Sequence, residues 1–275
     1  MSTALAVYHG CFGRVTVYRL DRPLAPHAHH EGHLIFHIGG QDSGVVVAGR
    51  KGTVTRMRAC AVNPWQVHSF HPGDPVNGSL YLVLYINPIW FVELGGRDAS
   101  LSFGCDHVKV TCEISDMVSV VAGSLLEGTG MARLDQLLFS LTRDCYDQTW
   151  RTSTVGRTVC GEWPRVRDFR IRNSLRILRE RVGDQIVLDS VARESGLSRP
   201  HFYKLFRQNV GLTPNIYLNT LKMELSIEKL TTSELPVTEI GLDLGFSSQA
   251  SFTRFFAANA GIPPTIYRKA SQLGA

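Results

Sequence analysis

Five histidines fall within fifteen residues, Pro26 to Gly40 (PHAHHEGHLIFHIGG), and another closes the stretch NPWQVH at His68. A neutral imidazole can hydrogen-bond a small molecule or ligate Zn, Cu, Fe or Ni. Alternate residues of a strand share a face, so His27 and His29 can act together, whereas adjacent His29 and His30 cannot both point inward. His33 and His68 would complete a set of three or four. Two readings stay open. In one, His27, His29, His33 and His68, with Phe36 and Trp65 as walls, orient a small effector in an apolar pocket. In the other, the same four imidazoles hold a transition metal (Zn, Fe or Ni). Trp65 can equally be core, and a histidine-rich loop can simply be solvated.

A second set of side chains suits the edges of bases. Lys204 and Arg254 can bond guanine O6 and N7, Gln249 suits adenine, and Pro200, Tyr203, Ala250 and Thr253 offer contacts to a thymine methyl or a groove edge. These residues occupy an internal repeat. Ser198 to Tyr217 and Ser248 to Tyr267 are identical at eight of twenty positions, at an offset of fifty residues. Two copies are too few for a solenoid and suggest a pair of modules doing one job.

Each copy reads as helix, glycine turn, helix. Val187, Leu188, Val191 and Ala192 give an apolar face that Gly196 interrupts, and Ser198 stands at the next N-cap. Pro200 is tolerated in the first turn, where its missing N–H had no partner. In the second copy Val237, Ile240, Gly241 and Leu244 precede Gly245, and Ser248 caps a helix with Phe252, Phe255 and Phe256 inward. Between the copies, Leu218, Leu221, Leu225 and Leu230 predict a connecting helix over 215–230, with Lys222 and Lys229 outward. Two helices joined by a tight glycine turn describe the helix-turn-helix, whose second helix enters the major groove.

On the residues Gly196-Leu197-Ser198, Phe202 to Phe206, Gly211, Pro214 and Tyr217, then Ile240, Gly245 to Gln249, Phe252, Phe256, Gly261, Pro264 and Tyr267, the last hundred residues resemble the DNA-binding domain of the AraC/XylS family of bacterial transcription regulators. The resemblance implies base contacts from Pro200, Tyr203, Lys204, Gln249, Ala250, Thr253 and Arg254. Backbone contacts are expected from Ser198, Arg199, His201, Arg207 and Ser248. Where Arg207 and Gln208 stand in the first copy the second has Ala257 and Ala258, so the second module should hold the backbone less.

The first 112 residues read as short strands, Arg14–Leu20, Leu34–Ile38, Val45–Ala48, Val54–Met57 and Leu80–Ile86, bounded by Gly, Pro, Asp and Asn. Regular short strands predict a small barrel or sandwich. The two histidine stretches resemble the signature stretches of the cupin barrel, in which an HxH pair, a glutamate and a later histidine hold a metal. His27 and His29 match the pair, His68 the later histidine, and His33 stands where the glutamate would fall. The expected fold is α+β in two domains: a cupin-like barrel with flanking helices, then an all-α domain with two helix-turn-helix motifs joined by a linker helix. The barrel is placed at 1–114, a helical segment at 115–150, a linker at 151–168, and the DNA-binding domain at 169–275. In the helical segment Met117, Val118, Val121, Leu125 and Leu126, then Leu134, Leu137, Leu138, Leu141 and Cys145, form two apolar faces. In the family such helices often dimerise; they can equally cover the barrel.

Charge is uneven. Residues 1–150 hold 11 Lys+Arg against 13 Asp+Glu, a net of −2, and residues 151–275 hold 18 against 11, a net of +7. The basic half carries the repeat, where phosphate attraction is needed. Seven arginines lie between Arg165 and Arg181, on the outer face of a helix that buries Ile171, Leu175, Leu178 and Val182. The six cysteines (Cys11, Cys60, Cys105, Cys112, Cys145 and Cys160) form no CxxC pair and read as free thiols of a reducing cytoplasm. The absence of a secretory h-region and of a long apolar run predicts neither export nor membrane insertion. No Ser/His/Asp arrangement, phosphate loop or paired-carboxylate site is evident, so no catalytic residue is expected. The sequence therefore predicts a non-enzymatic, effector-responsive regulator, more often an activator in this family, acting with operator DNA, RNA polymerase and a second copy of itself. The rivals are a metal-dependent cupin enzyme with an attached DNA-binding domain, and a regulator whose barrel only dimerises.

Overall fold

The computed structural model describes residues 1–95, 101–153 and 166–272. Contacts divide the chain into two compact units, Met1–Gly161 with Ala260–Ala275, and Glu162–Asn259. Most of the linker expected at 151–168 lies outside the described residues, as does Cys160.

Among the described residues the first unit holds ten strands: β1 (Thr3–Gly10), β2 (Gly13–Leu20), β3 (Leu24–His27), β4 (Gly32–Gly39), β5 (Ser43–Val47), β6 (Arg50–Val54), β7 (Arg58–Val62), β8 (His68–His71), β9 (Ser79–Ile86) and β10 (His107–Lys109). They form two antiparallel sheets, ordered β1-β2-β9-β4-β7-β10 and β3-β8-β5-β6. The strand expected at Val54–Met57 is displaced. Ala48 and Gly49 both take positive φ, which closes a two-residue hairpin and pairs Val47 with Arg50. That register ends β6 at Val54, and Thr55 to Arg58 become a turn into β7.

Register fixes which side chains meet. Tyr85 of β9 stands opposite Arg14 of β2 and His33 of β4, and Tyr81 stands opposite Tyr18 and His37. These residues share one face of the larger sheet. The other face carries Val15, Val17, Leu34, Phe36, Leu82, Leu84 and Ile86. Both faces are buried, which is why Leu80–Ile86 reads as an unbroken apolar run rather than an alternation.

Two helices cover that second face. After the short α1 (Pro88–Glu93), α2 (Cys112–Glu127) starts where Thr111 Oγ1 accepts the Ile114 N–H, and it ends at Gly128 in the left-handed region. A short 3-10 turn leads into α3 (Leu134–Thr152). Ile114, Val118, Val121 and Leu125 of α2, with Leu134, Leu138, Leu141 and Cys145 of α3, join the sheet residues in one core. The apolar faces predicted from sequence are thus spent on covering the sheet. Leu126, expected on that face, is exposed.

The second unit is helical: α4 (Phe169–Glu180), α5 (Leu188–Glu194), α6 (Arg199–Val210), α7 (Pro214–Thr232), α8 (Val237–Asp243) and α9 (Gln249–Ala260). α10 (Pro264–Gln272) falls within the segment grouped with the first unit, lying along β1. Asp168 and Thr213 cap α4 and α7 through their side-chain oxygens. Gly196 and Gly245, at φ 70° and 74°, make the turns before α6 and α9 in a conformation that costs a side-chain-bearing residue energy.

Candidate nucleic-acid interface and effector pocket

α6 and α9 are built alike. Phe202 and Phe206 in the first, Phe252 and Phe256 in the second, are fully buried, and each anchors its helix. Asn209 and Asn259 each donate to the carbonyl one turn back, Leu205 O and Phe255 O, both of half-buried residues; Phe255, expected inward, is thus not in the core. With that face fixed, Pro200, Lys204, Gln249, Ala250 and Arg254 are exposed, and Tyr203 and Thr253 are half-buried beside them. Every residue expected to reach a base therefore lies on the outward side of its helix.

Several of these residues are already oriented by neighbours. Tyr203 donates to Asn215 Oδ1 at 3.3 Å, Gln249 Oε1 accepts from Thr238 at 2.8 Å, and Arg254 Nη2 donates to Ser251 Oγ at 3.4 Å. Arg199, expected on phosphate, faces Asp189 at 3.3 Å in an exposed pair that costs little to exchange for phosphate. His201 and Arg207 are exposed. Ser248 Oγ accepts the Ser251 N–H as a cap, whereas Ser198 stands at the N-cap of α6 without a side-chain cap bond. The capping role expected of Ser198 is corrected: the main-chain bond of its carbonyl to the Phe202 N–H starts the helix instead.

One residue breaks the sequence expectation outright. Lys222, predicted to face outward, is 7% exposed. Its ammonium donates to Leu244 O at 2.5 Å and to Asp184 O at 3.4 Å and lies 4.8 Å from the centre of the Phe246 ring. Burial lowers its pKa against the raising effect of Asp184. The stripe Leu218, Lys222, Ser226, Leu230 advances four residues at a time along one helix face, and that spacing was the missed signal.

In the first unit a small cavity opens between the two sheets. His27, His33 and His68 line one end, Tyr81 is also in its wall, and Leu24, Ile35 and Phe70 supply apolar lining. His29 joins the cluster, its ring centre 4.9 Å from His27 and 4.5 Å from His33. All four imidazoles are buried, and burial is the leading cause that lowers each pKa, to about 3 for His68, so they are neutral. Phe36 is corrected: it stands on the opposite face, in the core under α2 and α3. Trp65 is not in the cavity wall either. It holds φ 62° in the loop before β8, and its N–H donates to His29 O at 2.6 Å, fixing the backbone of the cluster from outside.

Sequence reasoning overlooked the polar row beside the histidines. Arg14 is buried with Glu31 at 3.7 Å, and its guanidinium lies 3.7 Å over the Tyr85 ring. Burial opposes its charge; Glu31 and the surrounding tyrosines outweigh this and hold its pKa above the ordinary value. Tyr85 in turn packs its ring against His33 at 4.4 Å. Strand period two would have placed Arg14, Thr16, Tyr18 and Leu20 on one face.

Comparison with known proteins agrees with this anatomy. A helix-turn-helix domain model matches residues 191–270. The chain is 25% identical over 253 residues to the HTH-type transcriptional activator RhaS of Escherichia coli (strain SE11), covering 86% of this chain and 85% of that one. It is 34% identical over 85 residues to the activator AarP of Providencia stuartii, covering 31% of this chain and 63% of that one. In fold, it is similar to ToxT from Vibrio cholerae strain SCE256, with a TM-score of 0.58 and 15% identity over 94% of this chain and 95% of that one. With paired helix-turn-helix motifs, a strand-rich unit ahead of them and relatives of this kind, the chain is a DNA-binding transcription regulator similar to those of the AraC/XylS family.

Proposed function

We propose that this regulator reads a split operator with α6 and α9 and that a small effector in the cavity of the first unit adjusts the binding or geometry of that complex. The observation that carries the reading is the repeat itself: two helices that bury equivalent phenylalanines and turn Lys204 and Arg254 to solvent at equivalent positions. Lys204 and Arg254 supply guanine contacts, Gln249 an adenine contact, and Pro200, Tyr203, Ala250 and Thr253 apolar or edge contacts. Ser198, Arg199, His201, Arg207 and Ser248 take phosphate.

The cavity supports the effector half of the reading. It is apolar with a few convergent polar groups, the usual make-up of a ligand site. ToxT is described with an unsaturated fatty acid bound. RhaS and AarP are named activators, which supports activation by recruitment of RNA polymerase. A homodimer is proposed through the outer side of α2, where Val120 and Leu126 are exposed. Among the described residues no helix is long and apolar enough to cross a membrane; the DNA target supports action in the cytoplasm. An effector must bind two arrangements of the protein with different affinity to act at all. Selection of genomic fragments by the purified full-length chain, followed by footprinting, tests the reading; random recovery of fragments overturns it.

A further inference from the structure

We propose that the strand-rich unit carries a second DNA-binding surface, a corner formed by Lys51, Arg56, Arg58 and Lys109, which holds the phosphate backbone of the duplex flanking the operator. The inference rests on operator binding by the helical unit and adds a contact that the paired helices do not make.

The corner stands apart from the charge of its own unit. Residues 1–150 are net −2, yet five of their eleven Lys+Arg, namely Arg50, Lys51, Arg56, Arg58 and Lys109, gather here around one acid, Asp106, which leaves the remainder at −6. They meet because both sheets end here: β6 is an outermost strand of the smaller sheet, β10 of the larger, and β6 lies beside β7. All five cations are exposed. Arg50 is answered by Asp106, its Nε 3.0 Å from Oδ2, and the same carboxylate accepts from His107 Nδ1 at 3.1 Å. Among the described residues no ion pair forms at Lys51, Arg56, Arg58 or Lys109.

Two features point to a polyanion. Arg58 of β7 stands directly opposite Lys109 of β10, and like charges facing each other across an antiparallel pair are destabilising. A charge that guards an edge strand against pairing explains Lys51 on β6, but neither this opposed pair nor Arg56 at the tip of a turn. The turn itself is fixed. Thr55 and Arg58 exchange both main-chain bonds, at 2.9 and 3.1 Å, Thr55 Oγ1 accepts the Met57 N–H at 3.2 Å, and Met57 O accepts the Val110 N–H at 2.9 Å. Arg56 and Arg58 therefore stand on ordered backbone, and little further ordering is needed when they bind. Their guanidinium forks match phosphate oxygens in pairs. Duplex DNA carries one negative charge per about 1.7 Å of its axis, so neighbouring phosphates can meet several of these cations at once. The chain also joins this unit to helices that hold DNA, and a tethered contact of this kind acts at high effective concentration.

The test uses the full-length chain and an operator fragment it selects, either trimmed to the two half-sites or extended on each side by about two helical turns, roughly 20 bp. Wild-type protein should bind the extended fragment roughly 10-fold more tightly at near-physiological salt, with a slope of log affinity against log salt steeper by about 3–4. The combined substitutions Lys51→Ser, Arg56→Ser, Arg58→Ser and Lys109→Ser should abolish both gains and leave the trimmed fragment bound as before. Melting temperature should hold or rise, because the repulsion between Arg58 and Lys109 is gone. Arg56→Lys with Arg58→Lys should keep the gains, and Arg22→Ser, at an exposed cation elsewhere on the unit, should not alter them. If the fourfold variant fails to fold, Lys51→Ser with Arg56→Ser, both outside the pairing of β7 with β10, should still lower the slope by about 2. Equal binding of the two fragments by wild type overturns the inference, and so does a flank gain that the fourfold variant retains. A variant that retains the gain but no longer activates transcription with purified RNA polymerase would assign the corner to an acidic protein partner instead. In each of these cases binding of the trimmed fragment keeps the operator reading standing. Failure of wild type to select any DNA removes that reading and this one with it.

Discussion

The Lys222 ammonium lies 2.5 Å from the carbonyl oxygen of Leu244, the residue that ends α8. A cation from the connecting helix thus caps the first helix of the second module, and through Asp184 O it also touches the segment ahead of α5. Lys222→Met keeps the apolar stem and removes the charge. Loss of a charge-assisted bond with a carbonyl left behind should cost about 1.5–3 kcal/mol of stability. On DNA, protection of the half-site read by α9 should weaken before that read by α6. An unchanged footprint and melting temperature would deny Lys222 this positioning role.

Base and backbone contacts should separate on competition binding. Lys204→Ala or Arg254→Ala is expected to cost roughly 1–3 kcal/mol at the cognate site and to relax one base position, while Arg207→Ala weakens cognate and random DNA alike. Equal losses on both DNAs for the first pair would remove Lys204 and Arg254 from the base-reading set.

The phenylalanine anchors set the stability of each module. Phe206→Ala and Phe256→Ala delete fully buried rings and should each destabilise the helical unit by about 3–5 kcal/mol in denaturant unfolding. A loss below about 1 kcal/mol would mean that the site collapses around the missing ring, and that the helix faces are held by other contacts.

Thiol labelling tests the packing of the first unit. Cys11 and Cys112 are exposed, whereas Cys60 and Cys145 are buried. Burial, with Asp106 adding to it, pushes the Cys60 thiol up to about 12, and burial raises Cys145 likewise. The thiolate reacts, and a raised pKa removes it until pH approaches that value. At mildly alkaline pH an alkylating reagent should therefore modify Cys11 and Cys112 in the native protein, and Cys60 and Cys145 only after unfolding. Rapid native labelling of Cys60 would contradict the β7 placement that buries it.

Much of the helical unit was legible because its signals are local. Eight identities at offset fifty, the glycines at Gly196 and Gly245, and phenylalanines at helical spacing each constrain one turn of chain. Lys222 escaped because a charged residue was assigned to solvent by type, although Leu218, Ser226 and Leu230 share its stripe. In the first unit, β2, β4 and β9 were visible as runs of Val, Ile, Leu and Tyr. β1 and β7, rich in alanine, were not, and β6 was misplaced by three to four residues because the Ala48-Gly49 turn, not apolarity, sets its register. The histidine cluster was legible as a group. Phe36 was assigned to the wrong face because a strand buried on both sides gives no alternation to say which side is which. Arg14 and Tyr85 reach the cluster only through cross-strand pairing, a long-range relation that neither stretch contains alone.

The most direct measurement is a footprint of the purified full-length chain on the genomic fragments it selects at near-physiological salt. Two recognition helices docked in successive major-groove segments predict two protected half-sites about one helical turn, 10 bp, apart. Arg254→Ala should alter one half-site and Lys204→Ala the other. A single short protected segment, or protection indifferent to both substitutions, would contradict the claim that α6 and α9 read the operator together.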